Sequence, residues 1–263
     1  MKVTARTSPR VLVLVATAAL GVPLVTTSPG AVAASRPAAT IHPAGEVNFG
    51  GVSCEIGAVM RQGHTVYLAI PASCGGIDAG KVQDGCAEPI TPAGLPVSIE
   101  GAKHRGHLVY NSFTAMQSRG DVSPNRCYYN DLALVKVNRH DRHRVTATIP
   151  GTGAPRSVLA TLPKSGTSLK FGANTATAGA TQHQGWVLLA NTMAMLKTAN
   201  VGAPVTIGNK LVGMLLVLPK GPIPMVPLLQ QPGQIFNLAR AIKQLHKLPR
   251  FRHVRLVRAG ERI

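Results

Sequence analysis

Nucleophilic catalysis needs a hydroxyl or thiol beside a base that titrates near neutrality, and histidine is the side chain that does so unaided. The 263 residues hold nine histidines, yet few stand where such a pair would form. His64 lies on an apolar run leading into Ser73, and His183 lies near Trp186. Neither has a serine or cysteine partner at a telling spacing. Lys197 and Thr198 offer a lysine-assisted hydroxyl; a solvated lysine and a strand threonine is the plainer reading. The chain has no HExxH, no paired CxxC and no phosphate-cradling P-loop. Metal and nucleotide chemistry therefore have no support, and no cofactor is expected.

Three longer stretches say more when taken in order. They are Val66-Tyr-Leu-Ala-Ile-Pro-Ala-Ser-Cys74, Asn130-Asp-Leu-Ala-Leu-Val-Lys-Val137 and Asn200-Val-Gly-Ala-Pro-Val205. Together with Leu108-Val-Tyr-Asn-Ser112 and Leu211-Val-Gly-Met-Leu-Leu-Val217 they resemble secreted bacterial, mainly actinobacterial, members of the chymotrypsin/trypsin-like serine protease family (the peptidase S1 fold). The resemblance runs from about 48 to about 245. It implies an all-β fold of two antiparallel six-stranded β-barrels with a C-terminal helix. It also implies which positions would carry the triad. Asp131 stands at the aspartate, Ser73 where the general-base histidine belongs, and Val201 where the nucleophilic serine belongs. One member of three is kept, so the resemblance describes a degenerate member, a pseudoprotease.

A serine at 73 cannot shuttle a proton at neutral pH, and a valine at 201 has no lone pair with which to attack a carbonyl. Loss of nucleophile or base costs on the order of 10⁶ in rate, and losing both costs little more. Ala199 and Asn200 replace the residues that shape the family's oxyanion loop, and that loop is expected to be distorted or collapsed. Asp131 reads as a structural remnant. A buried carboxylate must be hydrogen-bonded, and the Ser73 hydroxyl is a donor of the right kind. A hydrolase with a rebuilt or residual site is the competing reading.

The chain opens on a basic stretch (Lys2, Arg6, Arg10), a short apolar run from Val11 to Val25 and a small-residue Ala31-Val-Ala33. That is the pattern of a secretory signal over 1–33, and the apolar run is shorter than the roughly 20 residues a membrane span needs. Secretion is the expected fate. The four cysteines, Cys54, Cys74, Cys86 and Cys127, all follow that leader. An even count in an exported chain predicts two disulfides, with three pairings open. The resemblance implies Cys54–Cys74, and Cys86–Cys127 with it.

The elements that would hold these residues read as short, β-rich apolar runs punctuated by glycine and proline. The expected layout is an extended lead-in over 34–45, a first barrel over 46–140, a second over 141–233, a helix over 234–248 and a basic tail over 249–263. Ile235, Leu238, Ile242 and Leu245 supply the helical spacing, and Pro249 the stop.

Charge is uneven. The formal net charge is +18. Residues 34–141 carry nine basic and nine acidic side chains, whereas 142–263 carry sixteen basic and one acidic. Such asymmetry suits a polyanionic partner. In an exported protein that is an anionic envelope polymer or a lipid surface, met by Arg250, Arg252, Arg255 and Arg258. With aromatic residues at 4%, stacking on bases has little support, and no specific nucleic acid is predicted. The cleft is a second candidate binding place, for a peptide or protein. Met193, Met195, Met214 and Met225 fall in segments that would line it, and the stiff loop 219–229 stands beside them. Met214 reads as core; Met225 reads as either.

Overall fold

The computed structural model describes residues 40–49, 51–75, 84–191, 201–216 and 233–263. The expected leader, most of the lead-in, Met193, Met195, Lys197, Thr198, Ala199, Asn200, Met225 and the loop 219–229 lie outside them.

The β-branched and aromatic runs form strands whose alternate side chains enter different cores. The first sheet takes β1 (Glu46–Phe49), β2 (Val52–Glu55), β3 (Ala58–Gln62), β4 (Thr65–Ile70), β5 (Pro96–Ile99), β6 (Gly106–Asn111), β7 (Ala133–Lys136) and, from the far end of the chain, β15 (Arg255–Leu256). Its order is β15-β3-β4-β7-β6-β5-β1-β2. β2 and β3 are one segment bent at Ile56–Gly57, so the same stretch of chain stands at both ends of six paired positions and curls the sheet into a barrel. The second sheet takes β8 (Ser157–Val158), β9 (Ser168–Phe171), β10 (Asn174–Gln182), β11 (Val187–Asn191), β12 (Pro204–Ile207), β13 (Lys210–Leu216) and β14 (Gly233–Asn237). The pairing of β12 with β13 closes six of these strands into a ring, with β8 added in parallel outside β13.

Period-two burial explains why β4 is apolar along its whole length. Val66, Leu68 and Ile70 enter the first barrel, whereas Tyr67 and Ala69 enter a core shared by residues of both sheets. β13 divides the same way. Val212 and Leu215 fill the second barrel; Leu211, Met214 and Leu216 face the shared core. Met214 is fully buried, as expected, and its sulfur lies where a Cβ on Gly57 would stand.

Two short helices, α1 (Ser112–Gln117) and α2 (Pro124–Tyr129), precede β7, and α3 (Leu238–Leu245) follows β14. α3 starts four residues later than the helical spacing predicted. Gln234 to Asn237 are held instead as a strand by ladders to β11 and β13, with Ile235 and Phe236 facing opposite cores. The Asn237 side chain then accepts from the Arg240 amide and caps the helix.

The tail past Pro249 is ordered. A turn at Pro249–Phe251 leads into β15, which pairs antiparallel with β3, and the Val257 amide donates to the Val59 carbonyl. Phe251, Val254, Leu256 and Val257 are buried there. Seven of the sixteen basic residues of the second half, Arg142, Arg144 and the five tail arginines, therefore sit on turns and strands packed against the first sheet. The charge excess is shared by both barrels.

Candidate functional site

Pro71 ends β4, and the chain turns through Ala72–Gly75, which places Ser73 over the start of β7. Asp131, fully buried, stands just before that strand. The Ser73 amide donates to Asp131 Oδ1 at 2.7 Å and the Ser73 hydroxyl donates to Oδ2 at 2.9 Å. Backbone and side chain of one residue thus address both oxygens of the carboxylate.

Two neighbours fix that arrangement, and residue type alone gives neither of them a role. The Ser112 hydroxyl donates to the Asn130 carbonyl and accepts from the Leu132 amide, clamping the backbone on both sides of Asp131. The Asn111 side chain donates to the Ala72 carbonyl at 2.9 Å and accepts from the Phe113 amide, tying the turn that carries Ser73 to the start of α1. The signal was present in Leu108–Ser112. What it could not convey is which segments the two polar side chains would meet.

Val201 and Gly202 reach the same place from the second sheet. The Glu55 amide donates to the Val201 carbonyl at 2.7 Å, and the Gly202 amide donates to Leu215. Gly202 has φ +99°, and a Cβ there would lie 2.2 Å from the Glu55 carbonyl oxygen and 2.9 Å from Pro71 Cδ. The turn is thus pressed between β2 and a residue two positions before Ser73. Cys54–Cys74 and Cys86–Cys127 are the disulfides, and the first joins the neighbours of Glu55 and Ser73. Ser73 and Asp131 are thus paired across 58 positions, and the turn at Gly202 meets the residue two before Ser73.

A hydroxyl–imidazole pair lies elsewhere. Tyr129, at the end of α2, is 2.9 Å through its hydroxyl from His183 Nε2, and the rings stack with centroids 4.3 Å apart. His183 and Gln184 have φ +51° and +54°, left-handed values that side chains other than glycine adopt at a cost. Burial pushes the Tyr129 phenol above its ordinary 10.0 and the His183 imidazole below its ordinary 6.5. Both shifts oppose moving the phenolic proton onto the ring, a transfer already uphill by about three powers of ten.

The tail arginines have separate surroundings. Arg250 lies over the Phe251 ring at 5.2 Å. Arg255 is bound to both oxygens of Glu261 at 2.8 Å. Arg252 and Arg258 are exposed. Asp84, Cys86 and Cys127 cluster closely enough to suggest a metal, but both sulfurs are spent in the disulfide.

No family model matches the chain, and no curated protein matches it in sequence. Solved structures do match in shape. Protease A of Thermobifida fusca superposes with a TM-score of 0.50 at 14% identity, covering 83% of this chain and 99% of its own. A glutamic-acid-specific serine protease gives 0.50 at 12% identity, covering 82% of this chain and 100% of its own. Identity that low shows the fold and leaves chemistry to the site. The chain has the two-barrel fold of the chymotrypsin-like serine proteases.

Proposed function

We propose that this chain is a secreted pseudoprotease, a binding protein on a serine-protease scaffold whose acyl-transfer chemistry has been lost. The observation that carries the reading is the pairing of Ser73 with Asp131. In a working triad that carboxylate orients an imidazole, which takes a proton from the nucleophile. Here both carboxylate oxygens accept from Ser73, and the residue arriving from the second sheet is a valine. The leader, the two disulfides and the fold support export. A peptide or protein in the cleft is the favoured ligand. The cationic excess supports a second role, toward an anionic envelope polymer.

The Tyr129–His183 pair is the observation that favours a rebuilt hydrolase, and the shifts on the two groups weigh against it. A fluorophosphonate label together with a broad peptide-substrate panel tests the proposal. No labelled residue and no turnover are expected. Modification of a single hydroxyl in the native protein would overturn it. In the double variant Ser73→His with Val201→Ser, measurable peptide hydrolysis would support a cleft that kept its shape and lost only its reacting groups.

A further inference from the structure

We infer that a furrow across the outer face of the first barrel is a binding site for a linear polymer bearing phosphate groups. The inference rests on reading the charge excess as a binding feature, and it gives that feature a place and a chemistry. Three adjoining hollows of about 540, 170 and 310 Å³ share Arg139, and the middle one shares Lys136 with the first and Arg142 with the last. Five permanent cations line them: Arg61, Lys136, Arg139, Arg142 and Arg250. His64, His107, His140 and His143 add ring nitrogens, and no carboxylate side chain is among the lining residues.

The cations are crowded by construction. The turn Arg139–Arg144 reads Arg-His-Asp-Arg-His-Arg, and its one acid faces inward. Asp141 is 1% exposed and accepts from the Lys103 and His104 amides, with His104 Nδ1 at 3.1 Å. Its charge is used to hold the turn down, which leaves Arg139, His140 and His143 exposed and Arg142 half-buried. Several heads are oriented with no carboxylate partner among the described residues. Arg142 donates to the His64 and Arg139 carbonyls, and Arg139 Nε lies 3.2 Å from His140 Nε2. The tail brings Arg250 to the furrow, stacked on Phe251 and anchored where Gln62 donates to its carbonyl. Arg61 is the exception, with Glu261 at 3.9 Å.

Unneutralised cations held side by side repel one another, and a polyanion relieves that repulsion while releasing its own counterions. Guanidinium forks and a lysine point charge both suit phosphate oxygens. No tyrosine, tryptophan or phenylalanine is among the lining residues, and the four imidazoles are interleaved with five cations, so the charged backbone of a polymer is what the furrow addresses most directly. Among the described residues the one large apolar side chain left exposed is Val122, so an apolar docking face is not the alternative there.

The test compares two charge-matched triple variants. One is Lys136→Gln/Arg139→Gln/Arg250→Gln in the furrow. The other is Lys164→Gln/Lys170→Gln/Lys210→Gln, three exposed lysines on and beside strands of the second sheet, none of them lining the furrow. Each loses three positive charges, and thermal melts check that both fold. The probes are inorganic polyphosphate, poly(glycerol phosphate) and polyglutamate, titrated from 50 to 300 mM salt. Binding to both phosphate polymers is expected, and preference between the two separates a phosphoanhydride source from a phosphodiester one. On a single-stranded phosphate polymer each contact adds about 0.7 to the slope of log affinity against log salt. The furrow variant should lose about 2 in slope and at least tenfold in affinity, and the control less than threefold. Equal losses in both variants would overturn the furrow while leaving a general charge effect. Polyglutamate bound as tightly as the phosphate polymers would overturn the phosphate assignment. Binding of none would overturn the reading of the charge itself.

Discussion

Deleting 249–263 to remove a basic tail should instead remove part of the core. Four side chains of that segment, Phe251, Val254, Leu256 and Val257, are 0–6% exposed. Full burial of each contributes about 1.5–3 kcal/mol, so together about 6–12 kcal/mol, an upper bound because unfolded chains already bury some apolar surface. The whole stability of a domain is about 5–15 kcal/mol. Deletion also strips the edge of β3 and uncovers Tyr67 and Tyr110, whose rings lie 6.4 and 5.4 Å from that of Phe251. Urea unfolding of the oxidised protein, followed by near-ultraviolet circular dichroism, should show no cooperative transition once the chain ends at Leu248. Phe251→Ala alone should cost about 3–5 kcal/mol, a fall of roughly 6–20 °C in Tm for a chain of this size. Arg252→Gln with Arg258→Gln, both exposed, should stay within about 0.5 kcal/mol of the parent. A protein truncated at Leu248 that melts cooperatively within a few degrees of the full chain would refute the reasoning.

Gly202→Ala should cost about 3 kcal/mol or more, because the new Cβ meets the Glu55 carbonyl at 2.2 Å while φ is +99°; soluble yield and urea midpoint read it, and a neutral outcome would mean the turn can shift. Burial pushes the Asp141 carboxyl up, but the His104 and Lys103 amides and the His104 ring outweigh it, so it titrates below its ordinary 3.8. Its contribution is therefore present above the unfolded value and lost as pH falls through the lower folded one. Asp141→Asn should lower stability at pH 7 and flatten the dependence below pH 4. His183 is held below its ordinary 6.5 by burial, so it is neutral at pH 7, and its share of stability falls as pH drops below that value. A proton NMR titration should place its midpoint under 6.5, and a midpoint above that would contradict the packing against Tyr129.

Much of the site was legible because it depends on residue type. Asp131, Ser73, Val201 and the cysteines could be singled out from short motifs in order along the chain, and the Ser73–Asp131 bond follows from what a buried carboxylate requires. Helical spacing misled at Gln234 to Asn237, where ladders on both sides outweigh local periodicity. That the tail is ordered was not legible for a related reason. Alternation of basic and apolar residues suits a polyanionic surface and an edge strand equally, and the edge of β3 takes the apolar side chains as a strand while the arginines stay available on its outside.

The order of short β-rich segments, the residue types at 73, 131 and 201, and the surplus of cations are properties of the chain, set by which side chains it contains. Where the cations gather is a property of the fold. Arg61, Lys136, Arg139 and Arg250 span nearly two hundred positions, and they line one furrow because β15 returns to β3 and the turn after β7 is pinned by Asp141. Backbone pairing and burial act between segments regardless of the length of chain between them, which is why the packed structure alone could assemble that surface.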